Sequence, residues 1–216
     1  MLELALKSLT AYLTGSLMGA LLLGALNGVD IRNFGSGNAG GTNALRTQGL
    51  PFAIGVIAID LGKGWFATAV LPGLALPGVP PDPSIDRAWL SVACAIAATI
   101  GHVYPVWFEF RGGKGAATLI GAVLGLAPWL LPAILLVWLL VVTATGYVGL
   151  GTMIAAGALP LLVVWRAPGQ LPLLCFAIAM VPCVVYTHRG NIARMRAGTE
   201  SRARRLWLLR DRKAHE

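Results

Sequence analysis

The sequence predicts an all-α integral membrane protein with about seven transmembrane helices, its N-terminus on the outer side of the membrane and its C-terminus in the cytoplasm. Three observations predict it. The 216 residues are 56% hydrophobic and only 12% charged, about half the charge of an ordinary soluble domain. The apolar residues run in long blocks, most of them close to the roughly 17–25 residues that cross a bilayer as a helix. The charges are segregated, with nine of the 17 Lys and Arg at or beyond Arg189.

The first block, 4–26, follows the leader pattern only superficially. It has no clear small-x-small cleavage site and continues to about Leu26, so it reads as a retained helix. The second, about 51–71, requires that Asp60 and Lys63 be tolerated. They lie three residues apart and share one helix face. Pairing offsets part of the roughly 2.5–3.5 kcal/mol that each charge costs at a helix centre. Such a pair either orients the helix or puts Lys63 at a pocket. A Pro- and Gly-rich loop, 72–87, precedes a third helix over about 89–104. The stretch 115–142 is too long for one comfortable span and holds Pro128 and Pro132. It divides into a short helix, a turn at 127–132, and a helix to about Thr145. The sixth and seventh helices cover about 149–165 and 171–186.

Cytoplasmic loops carry the excess of Lys and Arg. Arg32, Arg46, Arg111, Lys114 and the tail fall on one side of this arrangement, and only Lys7, Arg87 and Arg166 on the other. The polar islands 30–49, 102–114, 146–151 and 187–200 therefore share the cytoplasmic face. The net charge of +8 is largely a property of the C-terminus. It reads as an anchor on anionic lipid rather than a nucleic-acid surface, since no nucleic-acid module accompanies it. Cys94, Cys175 and Cys183 sit in apolar runs and give no disulfide framework. The three histidines are widely spaced and make no metal-ligand pattern.

The first island contains Gly35, Ser36, Gly37, Asn38, Gly40, Gly41, Thr42, Asn43 and Arg46. Glycines let backbone N–H groups converge on an anion, and an arginine completes the clamp. Gly35, Gly37 and Gly40 satisfy a dinucleotide fingerprint, but that motif needs a preceding strand, and here a spanning run precedes it. The second island places Arg111, Gly112, Gly113 and Lys114 ahead of an apolar run. It fails the Walker pattern yet keeps its logic: a tight loop, a mobile ammonium, and a helix N-terminus that favours an anion. His102 begins the second island, and His188 and Asn191 begin the fourth. No G-x-S-x-G elbow is present.

Taken together, the islands resemble the bacterial acyl-phosphate:glycerol-3-phosphate acyltransferase family (PlsY). The matching stretches are GSGNAGGTNALRTQG at 35–49, GHVYPVWFEFRGGKGAAT at 101–118 and THRGNIARMRAGTE at 187–200, with supporting likeness at 29–33 and 60–64. The resemblance covers nearly the whole chain to Glu200. It implies one transmembrane acyltransferase domain over 1–200 in the bacterial inner membrane, with its active site on the cytoplasmic side. It implies transfer of a fatty acyl group from acyl phosphate to the first-position hydroxyl of glycerol 3-phosphate, giving lysophosphatidic acid. No cofactor, metal or obligate protein partner is expected beyond the two substrates and membrane lipid. Ser36, Arg46 and Lys114 are expected at the substrate phosphates, and His188 and Asn191 at glycerol 3-phosphate. Gly37, Asn38, Gly40, Gly41, Thr42, Asn43, Lys63, His102, Gly112 and Gly113 are expected to line the site.

The chain departs from the family pattern in two places. Gly41 stands where the family usually has Ala. Gly149-Leu150-Gly151-Thr152 replaces the family's Ser-Leu-x-Ser element, so the first serine hydroxyl is gone. Residues 201–216 extend beyond the resemblance. Their arginines and apolar residues suggest an interfacial helix.

Overall fold

A computed structural model describes residues 1–203 and 206–208. Its regular structure is helical: α1 (Leu2–Gly15), α2 (Gly19–Leu26), α3 (Gly41–Thr47), α4 (Leu50–Trp65), α5 (Arg87–Val103), α6 (Ala116–Leu126), α7 (Leu131–Thr145), α8 (Val148–Arg166), α9 (Leu171–Thr187) and α10 (Arg189–Arg196). Four stretches are long and apolar enough to cross a membrane: Leu50–Gly73, Arg87–Phe108, Pro128–Thr145 and Val148–Arg166. The bent pairs α1 with α2 (46°) and α9 with α10 (52°) bring the number to six if each pair is one span. α6 is apolar but short. Each expected apolar block is thus a helix or a broken helix.

Two expectations are corrected. The first block is two helices with a break at 16–18, and the first polar island contains a short helix, α3. The break is invisible in an apolar sequence, but its physical support is plain. A broken helix frees backbone groups that hydrocarbon cannot satisfy, so neighbouring helices must do so. Here α4 supplies both partners. Lys63 Nζ donates to the Leu17 carbonyl (2.8 Å), and Asp60 Oδ1 accepts from the Gly19 N–H (3.2 Å). Lys63 and Asp60 also pair directly at 2.9 Å. The two charges that looked costly in the sequence act as complementary caps for the break.

The chain divides into two compact units, Met1–Trp129 and Leu130–Glu216. In the first, α1 packs chiefly on α5 and α4 on α6. Both seams are made by glycine. A Cβ at Gly15 would lie 2.2 Å from the Ala98 carbonyl oxygen, and one at Gly101 2.2 Å from that of Tyr12. On the other seam, a Cβ at Gly64 would lie 2.1 Å from the Thr118 carbonyl oxygen and one at Gly121 2.0 Å from that of Leu61. Such backbone-to-backbone approach is how small residues bind helices together without a hydrophobic driving force. At the far end of α1, buried Glu3 accepts from Lys7 (2.8 Å) and from Arg87 (2.5 and 3.1 Å). The cations expected on the outer face are therefore partly neutralised.

In the second unit α8 packs against both α7 and α9. Its buried side chains include Val142, Leu159, Val163 and Phe176. Pro160 and Pro182 lie inside α8 and α9. The start of the tail is tied to the α7–α8 turn. The Ala203 N–H donates to the Gly146 carbonyl (2.7 Å) and that of Leu208 to Thr143 (3.0 Å). The Arg202 guanidinium lies over Tyr147 (4.7 Å) and Trp207 (4.1 Å). The interfacial helix expected of 201–216 rests largely on Arg204, Arg205 and 209–216, which lie outside the described residues.

Candidate active site

The first loop folds around one amide. Buried Asn43, on α3, accepts the Ser36 N–H on Oδ1 (2.9 Å) and donates from Nδ2 to the carbonyls of Phe34 (3.0 Å) and Ile31 (3.3 Å). Gly35 and Gly37 take φ of +58° and +70°, a region that disfavours any side chain. Expected to face substrate, Asn43 instead spends its amide on the loop's own backbone, because unpaired buried backbone groups would cost more. Ser36, Gly37, Thr42 and Arg46 are left exposed, with Asn38, Gly40 and Gly41 half-buried. At Gly41 a Cβ would lie 2.6 Å from Ile57 Cγ1. The isoleucine occupies the space that an alanine would need. Asp30 forks with Arg32 (Nη2 to Oδ2, 2.7 Å), and Arg32 Nη1 reaches the Phe108 carbonyl at 3.4 Å. The Arg32 guanidinium holds the Asp30 carboxyl below its ordinary range.

The second loop leaves α5 through Glu109 and Phe110, both left-handed (φ +59° and +58°). It returns past His102, whose carbonyl accepts the Gly113 N–H at 3.1 Å. The glycines here are needed for room. A Cβ at Gly112 would lie 2.1 Å from the His102 carbonyl oxygen, and one at Gly113 2.3 Å from His102 Nε2. Gly115 does need its positive φ (+82°), as the cap of α6. Lys114 is half-buried just ahead of that helix, where the dipole favours an anion. The two loops meet: the position of a Gly113 Cβ is 2.9 Å from the Ala39 carbonyl oxygen.

Lys63 and His102 are both buried. Lys63 is engaged by Asp60 and the α1–α2 break. His102 Nδ1 lies 3.0 Å from Thr118 Oγ1 and 3.5 Å from Asp60 Oδ1.

In the second unit, His188 stands between α9 and α10. Its Nδ1 lies 2.8 Å from the Val184 carbonyl. A carbonyl only accepts, so Nδ1 carries the proton, and whenever the ring is neutral Nε2 is its accepting nitrogen. Buried Asn191 donates to Glu200 Oε1 (2.8 Å), and Arg194 Nε donates to Glu200 Oε2 (2.6 Å). A Cβ at Gly149 would meet Asn191 Nδ2 at 2.9 Å, so the missing serine leaves Asn191 its space. Thr152 donates to the Val148 carbonyl within α8 (3.0 Å).

Sequence reasoning missed three supporting residues. Glu200 is brought back to Asn191 by Gly198 at φ +71°, and a glycine after a basic helix end is the signal for such a turn. Thr118 is 16 residues from His102, beyond any local rule. Asp60 was read only as the partner of Lys63. Among the described residues, no three His, Cys, Asp or Glu side chains come together as a metal site.

A sequence model described as glycerol-3-phosphate acyltransferase matches residues 5–198. The chain is 38% identical to the glycerol-3-phosphate acyltransferase of Chlorobaculum tepidum, over 89% of this chain and 93% of that protein. It is 39% identical to that of Geobacter sulfurreducens, over 94% and 98%. Among solved structures it resembles the crystal structure of PlsY (YgiH), an integral membrane glycerol 3-phosphate acyltransferase, in its glycerol 3-phosphate form. The TM-score is 0.78 at 33% identity, covering 92% of this chain and 94% of that one. The lysophosphatidic acid form matches equally well, with a TM-score of 0.78 at 32% identity.

Proposed function

The chain belongs to the glycerol-3-phosphate acyltransferase family, and from that premise we propose that its acyl donor is acyl phosphate and its product lysophosphatidic acid. The reaction takes place in the bacterial inner membrane, with the glycine loops on the cytoplasmic side. The observation that carries this reading is the meeting of the two glycine loops, where Ala39 abuts Gly113. It gathers phosphate-type donors from two islands of an otherwise apolar chain.

Both substrates carry phosphate, and acyl phosphate is a mixed anhydride whose phosphate leaves readily. The first-position hydroxyl of glycerol 3-phosphate attacks the acyl carbonyl carbon. A carbon–oxygen ester bond forms and the bond from the acyl carbon to the phosphate oxygen breaks. The departing inorganic phosphate takes the electron pair. No covalent enzyme intermediate is needed, so positioning and charge stabilisation carry the catalysis. Arg46 and Lys114 hold phosphate, and Lys114 counters the charge that grows on the leaving group. Ser36 and the backbone amides of 37–42 complete the cradle. His188 and Asn191 position glycerol 3-phosphate. The hydroxyl proton passes to the donor's own phosphate, with His188 Nε2 as the alternative acceptor. The locked Nδ1–H supports His188 in either task.

Purified protein given palmitoyl phosphate and glycerol 3-phosphate is expected to release lysophosphatidic acid and inorganic phosphate in equal amounts. Turnover with palmitoyl-CoA in place of palmitoyl phosphate would overturn the donor assignment.

A further inference from the structure

Loop 104–115 has two stems, the end of α5 and the start of α6. A side-chain contact joins them, His102 Nδ1 to Thr118 Oγ1 at 3.0 Å. Asp60 on α4 stands behind it, 3.5 Å from the same nitrogen. Thr118 and Asp60 are almost wholly buried, and His102 is 2% exposed. On its other side the ring packs through Nε2 against Gly113, and the His102 carbonyl holds the Gly113 N–H. Lys114 follows directly. A buried polar contact of this kind is strong when satisfied and costly when broken.

We propose that Asp60, His102 and Thr118 form a positioning frame that fixes the loop carrying Gly112, Gly113 and Lys114. None of the three touches substrate. Asp60 is the corner of the frame, because the same Oδ1 also meets the Gly19 N–H and Lys63. The α1–α2 break and the lysine loop are therefore held by one carboxylate. The frame acts through Lys114, so this inference rests on the phosphate role given to that residue above. It also moves His102 and Lys63 from substrate contact to support.

Thr118→Val removes the hydroxyl and keeps the shape. It is expected to lower kcat/KM about 10–100-fold, the cost of a displaced reacting group, while Thr118→Ser stays within about 3-fold of the parent. Exchange of the Gly113 amide should rise about 10-fold in Thr118→Val, with the α7–α9 amides unchanged. In a Lys114→Arg background, which keeps the charge, Thr118→Val should cost under about 2-fold more, because the two act in series. A parent-like kcat/KM for Thr118→Val, an unchanged Gly113 exchange rate, or fully additive losses would each overturn the frame. If Thr118→Val gives no folded protein, Thr118→Ala is read by the same criteria. Lys114→Ala is assayed alongside. Parent-rate turnover there defeats the phosphate reading itself, whereas an inactive Lys114→Ala with a silent Thr118→Val defeats only the frame.

Discussion

Before Trp129 the helices of this protein meet backbone to backbone, while from Leu130 onward they meet mainly through side chains. In the first region Gly15, Gly64, Gly101 and Gly121 leave no room for a Cβ against a neighbouring carbonyl. That region also buries Glu3, Lys7, Asp60 and Lys63. In the second, Gly151 approaches the Val142 side chain, and Gly157 has nothing within 4 Å of a Cβ. Its buried polar residues, among those described, are Thr187, His188 and Asn191, all at one end. The first region is a rigid holder in which position is fixed by contact of main chains. The second is a more permissive packing that presents a few polar groups at a helix bend. Substitutions of the same kind should therefore have opposite outcomes in the two.

The largest contrast is expected at glycine. Gly121→Leu drives a side chain into the Leu61 carbonyl and should leave no folded protein in detergent, a loss above about 4 kcal/mol, read by size-exclusion chromatography and thermal melting. Next comes the chemistry. Lys114→Ala, in the rigid region, should lower kcat by about 10²–10³ with an unchanged helical circular-dichroism signal. His188→Gln, in the permissive region, should cost about 10-fold, mostly in the KM for glycerol 3-phosphate, if the donor's phosphate takes the proton. A loss of 10²-fold or more in kcat alone would make His188 the base. Smaller still, Gly157→Ala should raise stability by about 0.5–1 kcal/mol, because Ala is the better helix former and meets nothing there. The smallest effect is at Asp30. Arg32 depresses its carboxyl, so the pair contributes above the ordinary Asp range and its contribution is lost as pH falls through the lower folded value. Asp30→Asn should cost under about 1 kcal/mol near neutrality, and the gap in melting temperature from the parent should close as pH falls through the depressed value of the Asp30 carboxyl.

Much of the fold was legible because hydrocarbon demands long apolar runs, and each run became a helix or a broken helix. The break at 16–18 was not, since Ser16, Leu17 and Met18 carry no breaker signal. The evidence for it lay 40-odd residues away in Asp60 and Lys63, two charges in a span with no stated need. The glycine loops were legible as loops. Their inner workings were less so. Asn43 has the chemistry of a ligand and the job of a peg, and Gly112 and Gly113 owe their identity to His102 as much as to any anion. Pattern reading assigns residues by what they can bind. It has no means to see that a buried backbone has already claimed them. Glu200 and Thr118 escaped for the complementary reason, that their partners are nine and 16 residues away.

The caps at the α1–α2 break also bear on how the protein enters the membrane. During synthesis α1 and α2 emerge before α4, so the bare Leu17 carbonyl and Gly19 N–H are already waiting when Asp60 and Lys63 arrive. Each charge alone faces an insertion cost of roughly 2.5–3.5 kcal/mol, and each unmet backbone group a cost of its own. Neither partner is well suited to lipid by itself. Together they turn two poor membrane segments into one acceptable pair, which makes the second segment's partition dependent on the first. A permuted chain that delivered α4 ahead of α1 would have to hold the Asp60–Lys63 pair in the bilayer without its backbone partners until its counterpart was made.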